Sequence, residues 1–253
     1  MDLNLKNKLA TVTGASRGLG AAICETLAAE GANVVVNYRR HPRLAEALAR
    51  RLETDHAVRA LPIRADIACE PDVLAMFEQI DRVFGSADIL INNAAVCPTG
   101  PVAETTQQTF NDTLQTNLTG AFLCCREFAR RLIAANRPGR IVNISSQAAF
   151  RGSTTGHAPY DASKGALVSL TVSLARELAG HSIHVNAIAP GMIHTEMTDA
   201  VLSANKQKYL DRIPLRRIAT PPEIARVVAF LAGSGSDYIT GATLDASGGL
   251  AMR

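Results

Sequence analysis

Leu9-Ala-Thr-Val-Thr13, Gly14-Ala-Ser-Arg-Gly18-Leu-Gly20 and Ala21-Ala-Ile-Cys-Glu-Thr-Leu-Ala-Ala-Glu30 run one into the next, and Gly31 closes them. The first piece is short, apolar and rich in β-branched residues, the composition of a strand. The third is built of helix formers and stopped by a glycine. Between them three glycines take the spacing Gly-x-x-x-Gly-x-Gly. Glycines let a backbone turn sharply and approach a phosphate. A helix N-terminus behind them offers free N–H groups and its positive dipole end. A plain tight turn could use the same glycines. It is the strand before them and the helix after that point to a dinucleotide.

The alternation continues to the end of the chain. Strands are expected over 33–38, 59–65, 88–92, 139–145, 183–188 and 242–245. Helices are expected over 42–53, 70–84, about 109–135, from Tyr160 to about 179, and over 222–231. The strand at 88–92 is apolar through its middle, as a parallel strand covered on both faces should be. No linker, low-complexity segment or repeat interrupts. The reading is α/β: one doubly wound Rossmann-type domain over 1–253, with a mostly parallel seven-stranded sheet and helices on both faces. Right-handed crossovers bring the strand C-terminal ends to one edge. Two stretches stand apart. Asn117-Leu-Thr-Gly120 lowers helix propensity inside a long helix and predicts a kink or a water site. Residues 192–213, polar and small, predict a mobile, partly helical lid.

Bulk properties exclude several classes. Of the 253 residues, 47% are hydrophobic and 19% charged, which fits an ordinary globular protein rather than a disordered one. A net charge of +3 with no Trp gives neither an electrostatic nor a stacking basis for nucleic acid. The polar N-terminus lacks a signal-peptide core, and no apolar run nears the ~20 residues that span a bilayer. The five cysteines are odd in number and lack Cys-x-x-Cys spacing, so reduced thiols in a cytoplasmic protein are expected, with no metal site.

About twenty residues past the glycine loop, where Asp or Glu would accept from the ribose of NAD, the chain offers Tyr38, Arg39 and Arg40; Arg17 lies inside the loop itself. Cations suit a 2′-phosphate, so NADP(H) is expected over NAD(H). The small residues in Asn92-Asn93-Ala94-Ala95 let a flat ligand lie against backbone. Tyr160 and Lys164, four apart, share a helix face. An ammonium beside a phenol favours the phenolate, so the Tyr160 pKa is expected to fall. Ser146 can return its hydroxyl to the same place if its strand ends near the start of that helix. Donor, tunable acid and tuning charge together suit chemistry at a carbonyl oxygen.

Taken in order, Thr13-Gly14-x-x-x-Gly18-x-Gly20, Asp66, Asn92-Asn93-Ala94, Asn117, Ser146, Tyr160, Lys164 and Pro190-Gly191 resemble the short-chain dehydrogenase/reductase pattern over essentially the whole chain. The resemblance implies that Tyr160 donates a proton as hydride arrives. Lys164 would lower the Tyr160 pKa and hold the nicotinamide ribose. Ser146, rather than its rival Ser145, would bond the carbonyl, and Asn117 would hold a relay water. Gly14, Ser16, Arg17, Gly18, Leu19 and Gly20 would cradle the phosphates and adenosine end. Asp66 and Ile67 would meet adenine, Asn92 and Ala94 the ribose, and Pro190, Gly191, Ile193 and Thr195 the nicotinamide. Ala95 departs from a commoner glycine. The segment between Ser146 and Tyr160, with Gln147 and His157, would border the substrate.

Within that family the chain is similar to bacterial β-ketoacyl-[acyl carrier protein] reductases, through Asn186-Ala-Ile-Ala-Pro190-Gly191, Met192-Ile193-His194-Thr195 and Asp237-Tyr-Ile-Thr-Gly241. Arg137 sits where they carry a basic residue for the acidic carrier protein. His181 stands where a second arginine is usual, and the segment 147–159 is one residue longer. The resemblance implies an NADPH-dependent carbonyl reductase acting on a 3-oxoacyl-[acyl carrier protein], and a homotetramer or homodimer. The alternatives are an NAD(P)-dependent alcohol, sugar or steroid dehydrogenase, and a non-catalytic NADP-binding regulator. The regulator would be revived by failure to oxidise NADPH with any of a broad panel of ketones.

Overall fold

The computed structural model describes residues 2–153, 156–196 and 198–252. Met197 of the lid expected over 192–213, Thr154 and Thr155 of the segment 147–159, and Met1 and Arg253 of the domain expected over 1–253 lie outside the described residues. The elements follow one another as β1 (Leu9–Val12), α1 (Gly18–Ala29), β2 (Asn33–Tyr38), α2 (Pro42–His56), β3 (Ala60–Arg64), α3 (Glu70–Phe84) and β4 (Ile89–Asn92). The second half runs α4 (Gln107–Leu114), α5 (Gly120–Ala134), β5 (Gly139–Ile144), α6 (Ala148–Arg151), α7 (Ala158–Leu178), β6 (Ile183–Pro190), α8 (Asp199–Arg212), α9 (Pro221–Ala232) and β7 (Thr243–Ala246). The strands form one sheet in the order β3-β2-β1-β4-β5-β6-β7. Every pairing is parallel, where a mostly parallel sheet was expected.

The unbroken apolar runs are explained by cover on both faces. In β2, Val34 and Val36 join Val12 and Ile91 in a layer closed by Ile23 and Leu27 of α1 and Val228 of α9. Val35 points the other way, into a layer with Leu90 and Ile141 closed by Phe77 of α3 and Phe128 and Leu132 of α5. The two-residue period of the strand thus loads two cores at once.

The helix expected over 109–135 is broken. Between α4 and α5, residues Gln115–Thr119 form a π turn. An extra residue there rotates the following side chains. Asn117 turns inward, and Gly120 passes so close to the chain after β3 that a Cβ would lie 2.8 Å from the Ile67 carbonyl oxygen.

β1 and β4 are neighbours, but the chain leaves them in opposite directions along the sheet. The loops at their C-terminal ends diverge and open a crevice, the position where α/β sheets bind ligands.

Candidate active site

The crevice is a cleft of about 390 Å³ along the C-terminal edge of the sheet. Its walls come from the glycine loop, the ends of β2 to β6, α7 and the start of the lid segment. Gly14, Ser16, Arg17, Gly18, Leu19 and Gly20 form one end, with Tyr38, Arg39, Arg40, Asp66 and Ile67 beside them. Ala94, Pro190, Gly191, Ile193 and Thr195 line the length, and Ser146, Tyr160 and Lys164 the far end.

The glycine loop fits a diphosphate. Gly14 has φ +61°, and a Cβ on it would lie 2.8 Å from the Ala94 Cα. One on Gly20 would lie 2.5 Å from the Gly14 carbonyl oxygen. The N-terminus of α1 has no side-chain cap, so its first-turn amides remain for an anion. The loop is held by its surroundings. The Gly14 N–H donates to Asn37 Oδ1 at 3.1 Å. Thr13 Oγ1 accepts from the N–H groups of Asn93 and Ala94 at 3.0 and 3.1 Å, and Asn93 Nδ2 donates back to the Thr13 carbonyl at 2.9 Å. The two lips of the crevice are therefore cross-tied.

The cations at this end are not all free. Arg39 donates to Asp66 at 3.2 Å, so the expected phosphate ligand and the expected adenine ligand bind each other. Arg17 pairs with Glu196 of the lid segment at 2.5 Å. Among the described residues Arg40 has no ion-pair partner.

At the far end the choice between the two serines is made by orientation. Ser145 is buried and its hydroxyl donates to the Lys164 carbonyl at 3.0 Å, tying β5 to α7. Ser146 faces the cleft beside Tyr160, and its hydroxyl accepts from the Ala148 N–H at 3.1 Å. The Lys164 ammonium lies 5.6 Å from the centre of the Tyr160 ring and donates to the Ile144 carbonyl at 2.6 Å. Burial pulls its pKa down to about 8. The expected fall in the Tyr160 pKa is not seen in the protein alone. Burial pushes the phenol up, and the Cys97 thiol and the Asp161 carboxylate add to it, against the lowering Ser146 bond. Desolvation outweighs an ammonium that spends its hydrogen bond on a carbonyl.

Other expected residues lie elsewhere. Asn92, expected at the ribose, is 3% exposed and points into the core, donating to Asn143 Oδ1 at 2.9 Å and to Cys125 Sγ; its neighbour Asn93 lines the cleft instead. The strand's alternation decides which of the pair turns inward. The Asn117 side chain is consumed within the protein. It accepts from the Val96 N–H at 2.8 Å and donates to the Val96 carbonyl and to Ser163 at 2.9 and 3.0 Å. It pins the loop after β4 to α7. Gln147 and His157 are outside the cleft wall; the Gln147 N–H donates to the Pro190 carbonyl at 2.9 Å.

Arg137 precedes β5, at the opposite edge of the sheet from the cleft, and donates to Asp88 at 2.8 Å. His181 also lies at that edge, before β6. Sequence reasoning missed Asn37, His41, Thr116, Glu196 and Thr198, all in the cleft wall. A signal existed only for Asn37, a polar residue inside an apolar strand, which bonds Gly14 N and the carbonyls of Ile63 and Ala65.

A family model described as enoyl-(acyl carrier protein) reductase matches residues 14–251. A 3-oxoacyl-[acyl-carrier-protein] reductase FabG of Staphylococcus aureus is 40% identical over 245 residues, 97% of this chain and 98% of the relative. A short-chain type dehydrogenase/reductase from Mycobacterium marinum superposes with a TM-score of 0.95 at 30% identity, covering 100% of this chain and 98% of that one. L-Sorbose reductase from Gluconobacter frateurii, solved in complex with NADPH and L-sorbose, superposes with a TM-score of 0.92 at 28% identity, and each chain is covered in full.

Proposed function

The chain belongs to the short-chain dehydrogenase/reductase family, oxidoreductases acting on carbonyl and alcohol groups, and on that premise we propose that it is an NADPH-dependent carbonyl reductase. The observation that carries the proposal is that Ser146, Tyr160 and Lys164 line one end of a cleft whose other end fits a diphosphate. Bound nicotinamide supplies the hydride. Tyr160 gives its proton to the carbonyl oxygen, and Ser146 donates a hydrogen bond to the charge developing there. The raised phenol pKa keeps Tyr160 protonated and ready as the acid. Lys164, one helical turn behind it, holds the ribose and favours phenolate once its ammonium turns toward the phenol. The Asn117 side chain, engaged with Val96 and Ser163, fixes the kink behind Lys164 at which a relay water would be held. Residues 192–213 act as the lid.

NADP(H) is favoured by Arg17, Arg39 and Arg40 at the adenosine end, where the two carboxylates are already paired with two of the arginines. Glu196 holds Arg17 in competition with a phosphate. Replacing Glu196 with Gln is expected to lower the NADPH KM about two- to fivefold, the scale of one exposed ion pair, with little change for NADH. Steady-state kinetics with both cofactors check it.

The substrate proposed first is a 3-oxoacyl thioester on acyl carrier protein, by likeness to the FabG relatives. A small sugar-like or other free ketone is the second reading. It is favoured by Arg137, which is bonded to Asp88 and remote from the cleft, and by the absence of an arginine at His181. Self-association as a homodimer or homotetramer in the cytoplasm belongs to the same reading. Phe122 and Val172, about 40% exposed on α5 and α7, support it. NADPH oxidation measured against an acyl-thioester mimic, L-sorbose-like ketones and a steroid ketone tests the proposal. The expected result is reduction of the thioester with kcat/KM at least about tenfold higher for NADPH than NADH. Turnover of free ketones alone selects the second reading, and no oxidation with any of them refutes the enzyme.

A further inference from the structure

Asp161 follows Tyr160 on α7, and none of the roles above uses it. Its Oδ2 accepts from the Ser153 N–H at 2.7 Å and from the Ser153 hydroxyl at 2.8 Å. Ser153 ends a short arm that leaves the cleft at Ser146 and runs through α6. Gly152 turns the arm with φ +64°, and the arm lies on α7 over Gly165, where a Cβ would make an ordinary contact of 3.6 Å with the Ala149 carbonyl oxygen. The start of the arm is fixed from the opposite side, where Gln147 N–H donates to the Pro190 carbonyl. Arg151 donates to the carbonyl of Leu250 in the C-terminal segment. The arm therefore spans from the lip of the cofactor cleft to the turn of helix that bears the proton donor, and Asp161 is its attachment there.

A carboxylate is a costly choice for this tie. Among the described residues Asp161 Oδ1 is buried without a hydrogen-bond partner, and an unpaired buried oxygen opposes folding. A hydroxyl would accept from Ser153 without that burden, so the carboxylate is informative. A charged acceptor bonds about twice as strongly as a neutral one. It also acts on its neighbours. The groups that bear on the Tyr160 phenol are Ser146 from the end of β5, Cys97 from the chain after β4, and Asp161 and Lys164 from its own helix.

We propose that Asp161 is a positioning residue, whose carboxylate ties the Ala148–Ser153 arm, which leaves the cleft at Ser146, to the helix turn carrying Tyr160 and so holds Ser146 and the proton donor in register for the substrate. This rests on Tyr160 as the proton donor. Loss of the tie loosens the arm behind Ser146 and Tyr160, whereas the glycine loop forms the opposite end of the cleft.

The test uses the full chain with NADPH and a ketone that the wild type reduces, with hydrogen exchange of the 148–153 amides as a second readout. Asp161→Ala is expected to raise the ketone KM about tenfold, to leave the NADPH KM within about twofold, and to speed exchange over 148–153. Asp161→Asn retains an acceptor and loses the charge. It is expected to raise KM less, and to move the alkaline limb of kcat/KM to lower pH, because a carboxylate that holds the Tyr160 phenol up is gone. Unchanged exchange over 148–153, or faster exchange with an unchanged ketone KM, overturns the proposal. An unmoved pH limb in Asp161→Asn overturns the coupling to Tyr160. Asp161→Asn, close in shape to the native residue, carries both readouts if Asp161→Ala does not fold. If the wild type reduces no ketone, the functional reading fails on its own, and the exchange experiment still decides whether the tie exists.

Discussion

Tyr160→Phe is expected to lower kcat for ketone reduction about 10³-fold, the scale of a positioned general acid, while NADPH affinity stays within about twofold. The ring stays, and with it the packing of α7 against the cleft. What leaves is the hydroxyl at the end of the cleft beside Ser146. Phenylalanine has no proton to give, so the alkoxide formed as hydride arrives must take one from water. Equal loss in kcat and kcat/KM would mark an interaction made only in the transition state. Single-turnover oxidation of NADPH measures it, and a variant retaining more than about a tenth of wild-type kcat would exclude Tyr160 as the acid. Lys164 explains why this site is not also a stability element. Its buried ammonium has a pKa of about 8 against an ordinary 10.5. Between those values the unfolded chain holds a proton that the folded chain has released, so stability rises with pH across that window. Below it, the fold carries a desolvated charge.

Gly20→Ala is expected to abolish useful cofactor binding, raising the NADPH Kd about 100-fold or more. The added Cβ would meet the Gly14 carbonyl oxygen at 2.5 Å, Asn93 Nδ2 at 2.6 Å and the Ala15 Cα at 2.8 Å. Two of these three are backbone atoms, so the loop itself has to move. Two charge-assisted bonds from loop amides to a phosphate, at about 1.5 kcal/mol each, account for that loss. Overpacking adds about 1–3 kcal/mol of destabilisation, which lowers the melting temperature by about 2–4 °C per kcal/mol in a chain of this size. Gly18→Ala is the control. Its Cβ would meet only Thr195 at 3.9 Å, and its strain comes from φ +59° alone. It is expected to bind NADPH more tightly than Gly20→Ala. Fluorescence titration of NADPH with thermal melts separates the two effects. Equal affinity in Gly20→Ala and wild type would remove the glycine loop from the cofactor site.

Most of the fold was legible because it is written in short-range terms. The β2 and α3 boundaries match the expected ranges, since Asn33–Tyr38 is an apolar run and Glu70–Phe84 begins with acids and ends at Gly85. Strand ends shifted by a residue or two, where hydrogen bonding to the neighbour rather than composition sets the limit. The helix over 109–135 was legible as a helix and as irregular. That the irregularity is a π turn depends on Val96 and Ile67, which approach from other parts of the chain.

The sequence by itself determined that strands and helices alternate, that a glycine loop opens the first helix, and that Tyr160 and Lys164 share a face. Each of these is a matter of periodicity or of a residue's own backbone freedom. Only the tertiary structure decided which side chain of each adjacent pair is left for the cleft: the Ser146 hydroxyl, while that of Ser145 is spent on the Lys164 carbonyl, and Asn93 and not Asn92. Neighbours on a strand end are chemically alike, and only the packing of the opposite helix layer selects between them. The same holds for the charges. Arg17 and Arg39 read as free cations along the chain, and they are paired because folding brings Glu196 and Asp66, 179 and 27 residues away, to the same edge of the sheet.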